Sequence, residues 1–259
     1  MEFKVAIPAR YASQRLPGKP LLQIAGKPMI QYVFEHAIQS GAQEVLIATD
    51  DERIQSVAQA FGAAVCMTSS GHESGSDRIA EAALTLGWPD DTIVVNLQGD
   101  EPMMPAANIR QVAKNLHKHP RACIATLCTP IGDARVFNDP NVVKVVTDRD
   151  GFALYFSRAP IPVDREQRGL GAPIAMSTDQ SSSAVYGHRH IGLYAYRLSY
   201  LKKYLNASRC QIETLERLEQ LRALWLGDKI HVDVTRQAPG IGVDTHADLE
   251  RVEALISAP

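Results

Sequence analysis

A cluster of basic side chains follows the first apolar segment of the chain, in the loop sequence IPARYASQRLPGKPL. Between Phe3 and Phe34 there are five basic residues and no acidic residue. Arg10, Arg15 and Lys19 belong to a loop rich in Pro and Gly, where cations and backbone N–H groups can surround phosphate oxygens. A solvated basic loop is the alternative interpretation. The residue types favour phosphate binding.

The same loop lacks the motifs of two common nucleotide sites. The pattern GxxxxGK[ST] is missing, which disfavours an ordinary P-loop ATPase. The first glycine of the chain is Gly18, too late for a GxGxxG turn after the first strand. This spacing argues against a nicotinamide or flavin oxidoreductase.

Two other segments place carboxylates after short apolar stretches. Asp100 and Glu101 follow such a stretch in TIVVNLQGDEP, and Asp244 does so in PGIGVDTHADLE. Asp244 could instead be an ordinary acid at a helix start, because Thr245 and Asp248 form a capping pair directly after it. Two carboxylates that meet at strand ends would form the oxygen site that Mg²⁺ prefers when it also binds phosphates. Together with the basic loop they predict Mg²⁺-assisted nucleotide chemistry.

The SGSDR segment offers a further cation at a predicted strand end. Ser74 and Asp77 could simply start a helix, whereas Arg78 adds a positive charge beside them. His72 and His246 are interpreted as surface residues.

These side chains need elements that bring them together, and apolar stretches alternate with helical patterns over the first half of the chain. Predicted strands cover 3–7, 45–48, 64–66, 92–97, 123–127, 142–146, 191–196 and 230–234. Predicted helices cover 29–39, 51–61, 76–86 and 247–256. This alternation predicts an α/β fold with a mostly parallel central sheet flanked by helices. Ligands of such sheets bind beyond the carboxyl ends of the strands, where the residues above are expected.

The second half follows a different pattern. Residues 159–190 are rich in Pro, Gly and Ser and are predicted to form a long loop or arm. One amphipathic helix is predicted after it, because apolar residues recur at helical spacing with three glutamates, Glu213, Glu216 and Glu219, off the apolar stripe. The stripe consists of Ile212, Leu215, Leu218, Leu221 and Trp225.

The composition excludes several classes of protein. The 259 residues include 27 basic and 29 acidic residues and 45% hydrophobic residues, which is typical of a globular chain and not of a disordered one. Neither an apolar run long enough for a membrane span nor a signal peptide is present, so a cytoplasmic location is expected. The basic residues are not concentrated in one patch, which disfavours nucleic acid as a partner. Four cysteines without a CxxC pair are interpreted as packing residues.

Several segments, in order along almost the whole chain, resemble the bacterial 3-deoxy-manno-octulosonate (Kdo) cytidylyltransferases, or CMP-Kdo synthetases. They are IPARYASQRLPGKPL, KPMI, ATDDERI, SGSDRIAEA, VVNLQGDEP, ALYFSRAPIP, RHIGLYAYR, LEQLRALWLGDKI and PGIGVDTHADLERV. The resemblance implies a Rossmann-like nucleotidyltransferase fold and, usually, a homodimer. It also implies transfer of CMP from CTP to the sugar acid Kdo, with release of pyrophosphate, for lipopolysaccharide biosynthesis.

The resemblance also implies roles for individual residues. The nucleotide-binding residues would be Arg10, Ser13, Arg15, Lys19 and Arg78. The metal Mg²⁺ would be bound by Asp100 and Asp244, and the catalytic set would be Lys19, Asp100 and Arg15. The residues that contact Kdo would be Gln98, Arg158, His190, Tyr194 and Glu213.

The expected organisation is a nucleotide-binding α/β core, residues 1–129 and 229–259, with a smaller sugar-binding and dimerisation lobe, residues 130–228. The expected mechanism is direct in-line displacement, because no nucleophilic triad is recognisable. Two alternatives stay open at this point: a cytidylyltransferase for another sugar acid, such as amino-Kdo or a sialic acid, and a non-catalytic sugar-nucleotide-binding protein.

Overall fold

The computed structural model describes residues 1–12, 16–72, 74–163 and 186–258. The strands are β1 Lys4–Ala9, β2 Gln23–Ile24, β3 Lys27–Pro28, β4 Glu44–Thr49, β5 Ala64–Met67, β6 Ile93–Asn96, β7 Ile124–Ile131, β8 Lys144–Thr147, β9 Ala153–Ser157, β10 Gly187–Arg197 and β11 Ile230–Val234. The α-helices are α1 Met29–Gln39, α2 Glu52–Ala60, α3 Gly75–Thr85, α4 Ala106–Lys118, α5 Ala134–Asn138, α6 Leu198–Leu205, α7 Gln211–Glu216, α8 Leu221–Trp225 and α9 His246–Ser257. A 3₁₀ turn covers Lys19–Leu21.

One large sheet forms the centre of the molecule, in the order β11-β7-β10-β6-β1-β4-β5, with β8 and β9 added beside β10. The pairs β1–β4, β1–β6, β4–β5 and β7–β11 are parallel. Strand β10 runs antiparallel to both β6 and β7 and joins the two parallel groups. The α/β fold with a mostly parallel sheet flanked by helices is confirmed.

Both faces of this sheet are covered, and the alternation of side chains explains why its strands are nearly continuous apolar runs. In β1, Val5 and Ile7 point into one core cluster with helices α1 and α4, and Ala6 points into the other with α3 and α6. In β4, Ile47 and Leu46 divide between the same two clusters. The sheet therefore holds the carboxyl ends of its strands rigidly between two hydrophobic layers.

Several predicted elements agree with the structure, and α1 and β11 have the predicted bounds. The prediction that 187–190 belong to a loop is wrong, because β10 begins at Gly187 and pairs with β7 and β8 there. Residues 164–185 of the predicted arm lie outside the described residues.

Helix α4 was not predicted, since its buried face includes amide side chains that weaken the apolar pattern. Asn108, Gln111 and Asn115 are buried together with Ile109 and Val112. The Gln111 amide donates to Asp233 Oδ2 and to the Val234 carbonyl oxygen, each at 2.8 Å. These hydrogen bonds offset the cost of burying polar groups, and they attach α4 to β11.

The single amphipathic helix predicted after residue 210 is a second error. The chain forms α7 and α8 instead, with Arg217 between them in the left-handed region at φ 53°. Leu215 and Trp225, two members of the predicted stripe, are 74% and 62% exposed. Leu218 and Leu221 of the stripe are buried, and the buried Arg222 pairs with Glu213 across the break, so the segment packs as two short helices.

Strand β10 lies within residues 130–228, the predicted second lobe, yet it pairs with β6 and β7 of the main sheet. The division into two lobes, residues 1–129 with 229–259 and residues 130–228, stays a prediction. Among the described helices, none has the length and apolar character needed to cross a membrane.

A completely buried lysine supports the edge of the sheet where β8 begins. Lys144 is 0% exposed, and its Nζ donates to the carbonyl oxygens of Asp139 at 3.0 Å, Val142 at 2.7 Å and Arg158. Burial lowers the pKa of this amine. The Lys144 ammonium group thus satisfies two backbone carbonyl oxygens before β8 and one after β9.

We expect Lys144→Met to lower the free energy of unfolding by about 3 kcal/mol, because three buried carbonyl groups would lose a charged donor. Urea denaturation measures this change. Lys114→Met, at an exposed position of α4, is the control and should change stability by less than about 0.5 kcal/mol. Equal stability of the two variants would contradict the structural role of Lys144.

Candidate active site

A cavity of about 280 Å³ lies at the carboxyl ends of β1 and β6, next to the first turn of α3. Six of the residues predicted for the site line it: Arg10, Lys19, Arg78, Gln98, Asp100 and Asp244. The position agrees with the general location of ligands in open α/β sheets.

Lys19 connects the two carboxylates that were predicted to meet. Its Nζ lies 2.6 Å from Asp100 Oδ2 and 3.1 Å from Asp244 Oδ1. The lysine side chain is only 12% exposed, while those of Asp100 and Asp244 are 40% and 57% exposed. A hydrogen bond from the Val243 N–H to the Asp100 carbonyl oxygen, at 2.9 Å, joins the two backbone segments. The carboxylates thus point to one place although 144 positions separate them in sequence (244 − 100).

The basic loop is closed at its base by backbone and aromatic contacts. Gly18 donates from its N–H to the Tyr11 carbonyl oxygen at 3.0 Å, and its φ of 67° is one that favours glycine. Arg53 stacks on the Tyr11 ring with 3.3 Å between its guanidinium carbon and the ring centroid. Ser13 and Arg15, both predicted to bind nucleotide, lie outside the described residues.

Two glycines allow the strand ends to approach each other at the cavity. A Cβ on Gly99 would lie 3.0 Å from the Pro8 carbonyl oxygen, and one on Gly75 would lie 3.0 Å from Pro8 Cγ. Gln98 sits between them, and its amide nitrogen donates to Asn96 Oδ1 at 2.9 Å. This contact fixes the amide of Gln98 at the cavity wall.

Helix α3 begins at the cavity with the capping box that the sequence allowed. The Asp77 N–H donates to Ser74 Oγ and the Ser74 N–H donates to Asp77 Oδ2, each at 3.1 Å. Arg78 is 3% exposed and donates to Thr68 Oγ1 at 2.6 Å and to Asp50 Oδ2 at 3.0 Å. Its guanidinium therefore anchors α3 to the ends of β4 and β5 while it lines the cavity.

Two predicted sugar ligands lie in β10, behind the cavity wall. His190 is 8% exposed, and burial, with the nearby Arg189 charge, lowers its pKa to about 3, so its ring is neutral. The Thr126 hydroxyl directs its hydrogen to the carbonyl oxygens of Ile191 and Leu193 and accepts from His190 Nε2 at 3.0 Å. The structure does not place this imidazole at the cavity.

Tyr194 is half-buried and follows a register shift in the pairing of β10 with β7 between Ile191 and Tyr194. It pairs with Asn96 of β6, the residue that holds the Gln98 amide. Burial raises the pKa of its phenol well above the ordinary value. Its ring packs against His190 and Tyr196, and Tyr194 is not among the residues that line the cavity.

The other two predicted sugar ligands are engaged elsewhere. Arg158 donates from Nε to the Glu216 carbonyl oxygen at 2.7 Å and from an Nη to the Pro140 carbonyl oxygen at 3.1 Å. Glu213 is 5% exposed and accepts from Arg222 at 2.5 Å and 2.8 Å. Neither side chain lines the cavity.

Two cavity residues were missed by the sequence analysis. His72, interpreted as a surface residue, lines the cavity and is hydrogen-bonded through Nε2 to Glu81. Glu219 lines it from the segment between α7 and α8. Two features of the sequence could have indicated them: His72 lies just before SGSDR, and Glu219 is the last of three glutamates spaced three residues apart.

Glu101 adds a third acid beside the carboxylate pair. Burial, and the neighbouring charge of Asp100, raise the pKa of Glu101 to about 7. A Cβ on Gly242 would lie 3.0 Å from its Oε1, so the side chain packs under the segment that leads to Asp244. Within the described part of the chain, no three acids, histidines or cysteines form a preformed metal cluster.

The sheet, the cavity at its strand ends and the cation–carboxylate contact define a nucleotide-handling α/β protein. A family model described as Cytidylyltransferase matches residues 5–230. These observations place the chain in the class of nucleotidyltransferases.

Relatives named 3-deoxy-manno-octulosonate cytidylyltransferase match over the full length. The protein from Thioalkalivibrio sulfidiphilus is 58% identical over 259 residues, and that from Haemophilus influenzae strain Rd is 51% identical over 258 residues, each with 100% of both chains covered. The chain therefore belongs to the 3-deoxy-manno-octulosonate cytidylyltransferase family. The expected family is confirmed.

Solved structures agree with this assignment. The structure of a CMP:2-keto-3-deoxy-manno-octonic acid synthetase complexed with CTP has a TM-score of 0.87 and 42% identity and covers 99% of both chains. A cytidylyltransferase from Leptospira borgpetersenii, at 19% identity and a TM-score of 0.63, covers 99% of this chain and 87% of its own and supports the fold alone.

We expect Gly99→Ala to destabilise the protein by about 1–3 kcal/mol, because the added methyl group would contact the Pro8 carbonyl oxygen at the cavity. Gly132→Ala is a matched control, since no heavy atom lies within 4 Å of the new methyl group there. Urea denaturation of both variants checks the difference. A Gly99→Ala variant as stable as the control would contradict the close approach of the two strand ends.

His190 should make stability depend on pH in a known direction. Between about pH 6.5 and pH 3 the unfolded chain binds a proton at this position and the folded chain does not, so stability falls as the pH falls. The loss is about 1.4 kcal/mol per pH unit in that range. Urea denaturation at pH 6.5, 5.5 and 4.5 should show this slope reduced in His190→Gln and unchanged in His246→Gln. Parallel curves for wild type and His190→Gln would refute the neutral buried imidazole.

Proposed function

We propose that this enzyme transfers CMP from CTP to the anomeric hydroxyl of Kdo, giving CMP-Kdo and pyrophosphate for lipopolysaccharide biosynthesis. The observation that carries the proposal is the contact of Lys19 with both Asp100 and Asp244 in a strand-end cavity. The full-length relatives bear the name of this activity, and the related solved structure holds CTP.

We infer that Asp100 and Asp244 hold Mg²⁺. Both carboxylates approach one cationic group, Lys19 Nζ, within 3.1 Å, so the pair already converges on a positive charge. Carboxylate oxygens are suitable ligands for Mg²⁺ shared with phosphates, and their partial exposure leaves room for water or phosphate ligands. When bound, the metal would supply positive charge to the phosphate oxygens.

The cationic side chains of the first loop bind the triphosphate in this proposal. Arg10 is exposed at the end of β1 and Lys19 is held at the opposite side of the loop by the turn at Gly18. Both line the cavity. Arg15 and Ser13 are proposed to complete the phosphate site on the basis of the family resemblance.

The reaction is proposed to be a direct in-line displacement. The anomeric hydroxyl oxygen of the sugar acid forms a bond to the α-phosphorus, the bond from that phosphorus to the bridging oxygen breaks, and pyrophosphate leaves. The hydroxyl proton passes to water. Lys19 and Arg15 would neutralise the charge that grows on the leaving pyrophosphate, an electrostatic role that needs no covalent intermediate.

The sugar is proposed to bind on the Gln98 and Tyr194 side, with Arg158, His190 and Glu213 assigned there by resemblance. In this structure these last three side chains do not line the cavity, so they would contribute by supporting the residues that do. A homodimer, a sugar-binding and dimerisation lobe of residues 130–228, and a cytoplasmic location complete the proposal.

Pyrophosphate release with CTP, Mg²⁺ and Kdo should be fast and should require each of the three components. Asp100→Asn should lower the rate by about 10²–10³ without unfolding the protein, because one carboxylate of the charged pair is lost. Asp91→Asn, at an exposed site away from the cavity, is the control.

Near-normal turnover of Asp100→Asn would refute the metal assignment. Faster turnover with amino-Kdo or a sialic acid than with Kdo would change the substrate. Binding of CTP without any pyrophosphate release would favour a non-catalytic sugar-nucleotide-binding protein.

A further inference from the structure

The same local motif, an aspartate followed two positions later by an arginine, begins two helices of this chain. At α2, Asp51 caps the helix by accepting from the Arg53 N–H at 2.9 Å. At α5, Asp133 accepts from the Arg135 N–H at 2.8 Å. In each pair the arginine side chain also returns to the carboxylate, with a nitrogen–oxygen distance of 2.6 Å at α2 and 2.9 Å at α5. The two segments therefore show one motif in two surroundings.

The surroundings of the two arginine side chains differ. Arg135 is 92% exposed, so its guanidinium lies almost entirely in solvent. Arg53 is 60% exposed and covers the Tyr11 ring, with 3.3 Å between its guanidinium carbon and the ring centroid. A planar guanidinium on an aromatic ring combines stacking with cation–π attraction. Ile54 and Ala58 are completely buried and fix α2 to the core, so Arg53 attaches Tyr11 to a firmly held helix.

Tyr11 in turn contacts the residue that precedes Lys19. Its carbonyl oxygen accepts from the Gly18 N–H at 3.0 Å. A Cβ on Gly18 would lie 3.0 Å from Tyr11 Cε2, so the ring packs directly against this glycine. The Gly18 carbonyl oxygen then accepts from the Leu21 N–H at 2.8 Å and begins the 3₁₀ turn that carries Lys19. A series of contacts thus leads from α2 through Tyr11 to the backbone of Lys19.

The charges of Asp51 and Arg53 favour a role in geometry over a role in charge. The hydrogen-bonded Arg53 guanidinium lowers the pKa of the Asp51 carboxyl, so both groups are charged at neutral pH and their sum is zero. A neutral pair adds little attraction for a triphosphate. Arg10 and Lys19 line the cavity, whereas neither Asp51 nor Arg53 does.

We propose that Arg53 is a positioning residue for CTP, which clamps the Tyr11 ring and thereby holds Gly18 and the Lys19 ammonium group where phosphate oxygens bind. This inference rests on the proposed function. A backbone already held in the binding geometry loses less conformational freedom when the ligand arrives, which increases affinity. The two hydrogen bonds from Arg53 to the Asp51 carboxylate, at 3.0 Å and 2.6 Å, keep the guanidinium over the ring.

The test measures the steady-state kinetics of pyrophosphate release by Arg53→Met. We expect the KM for CTP to rise about fivefold, because Tyr11 and Gly18 would have to be ordered as the nucleotide binds, while the KM for Kdo stays within about twofold. Arg135→Met removes the same motif from α5 and is the matched control, with the KM for CTP of wild type. Both variants lose an exposed ion pair, so they should lose similar, small amounts of thermal stability.

Further variants separate stacking from charge and identify the partner of Arg53. Arg53→Lys keeps the charge without the planar guanidinium, so it should recover only part of the affinity for CTP. Tyr11→Leu should raise the KM for CTP at least as much as Arg53→Met, and Tyr11→Phe, which keeps the ring, should recover most of that loss. In the double variant Arg53→Met/Tyr11→Leu the two effects should not add, because both substitutions break the same contact.

Three results would overturn the proposal while wild type still releases pyrophosphate from CTP and Kdo. They are an unchanged KM for CTP in Arg53→Met, an equal rise in Arg53→Met and Arg135→Met, and additive effects of Arg53→Met and Tyr11→Leu. Failure of wild type to release pyrophosphate from CTP and Kdo would refute the proposed function itself, so the two failures are distinguishable.

Discussion

The contact of one lysine with two carboxylates is the interaction on which the arrangement of the site depends. Lys19 belongs to the turn after the first loop, Asp100 follows β6, and Asp244 precedes α9, so one ammonium group joins three distant parts of the chain. Two negative charges against one positive charge leave the group with a net charge of −1. That surplus is what a bound cation would offset at these two carboxylates.

Backbone contacts hold the segments around this ion pair close together. The Val243 N–H donates to the Asp100 carbonyl oxygen, and Gly99 brings the β6 turn against the Pro8 carbonyl oxygen of β1. Below these turns, Val5 and Ile7 are completely buried in the sheet. The buried core on both faces of the sheet therefore positions the turns that carry the charged side chains. Preorganised charges of this kind are what electrostatic catalysis requires.

Much of this design could be predicted from the sequence, where local pattern and tertiary structure agree. The alternation of apolar stretches identified the first strands, and their carboxyl ends correctly grouped Lys19, Asp100 and Asp244 at one edge. The prediction failed for α4 because Gln111 is buried through hydrogen bonds to Asp233 and Val234, in a distant segment, which no local pattern reveals. It failed at Arg217 because that residue takes a left-handed conformation, which ends α7, and the buried pair of Glu213 with Arg222 joins the two short helices across the break.

Contacts between distant segments also explain why residue type alone did not identify which histidine and which glutamate line the cavity. His190 has a ring that could bind a hydroxyl group, but burial beside Thr126 engages its Nε2 and keeps it neutral. His72 has the same ring and lines the cavity. Glu213 and Glu219 differ in the same way, since one compensates a buried arginine and the other faces the ligand space. Which member of such a pair lines the cavity is decided by the backbone path and the partners that the fold supplies, and neither can be read from the residue type alone.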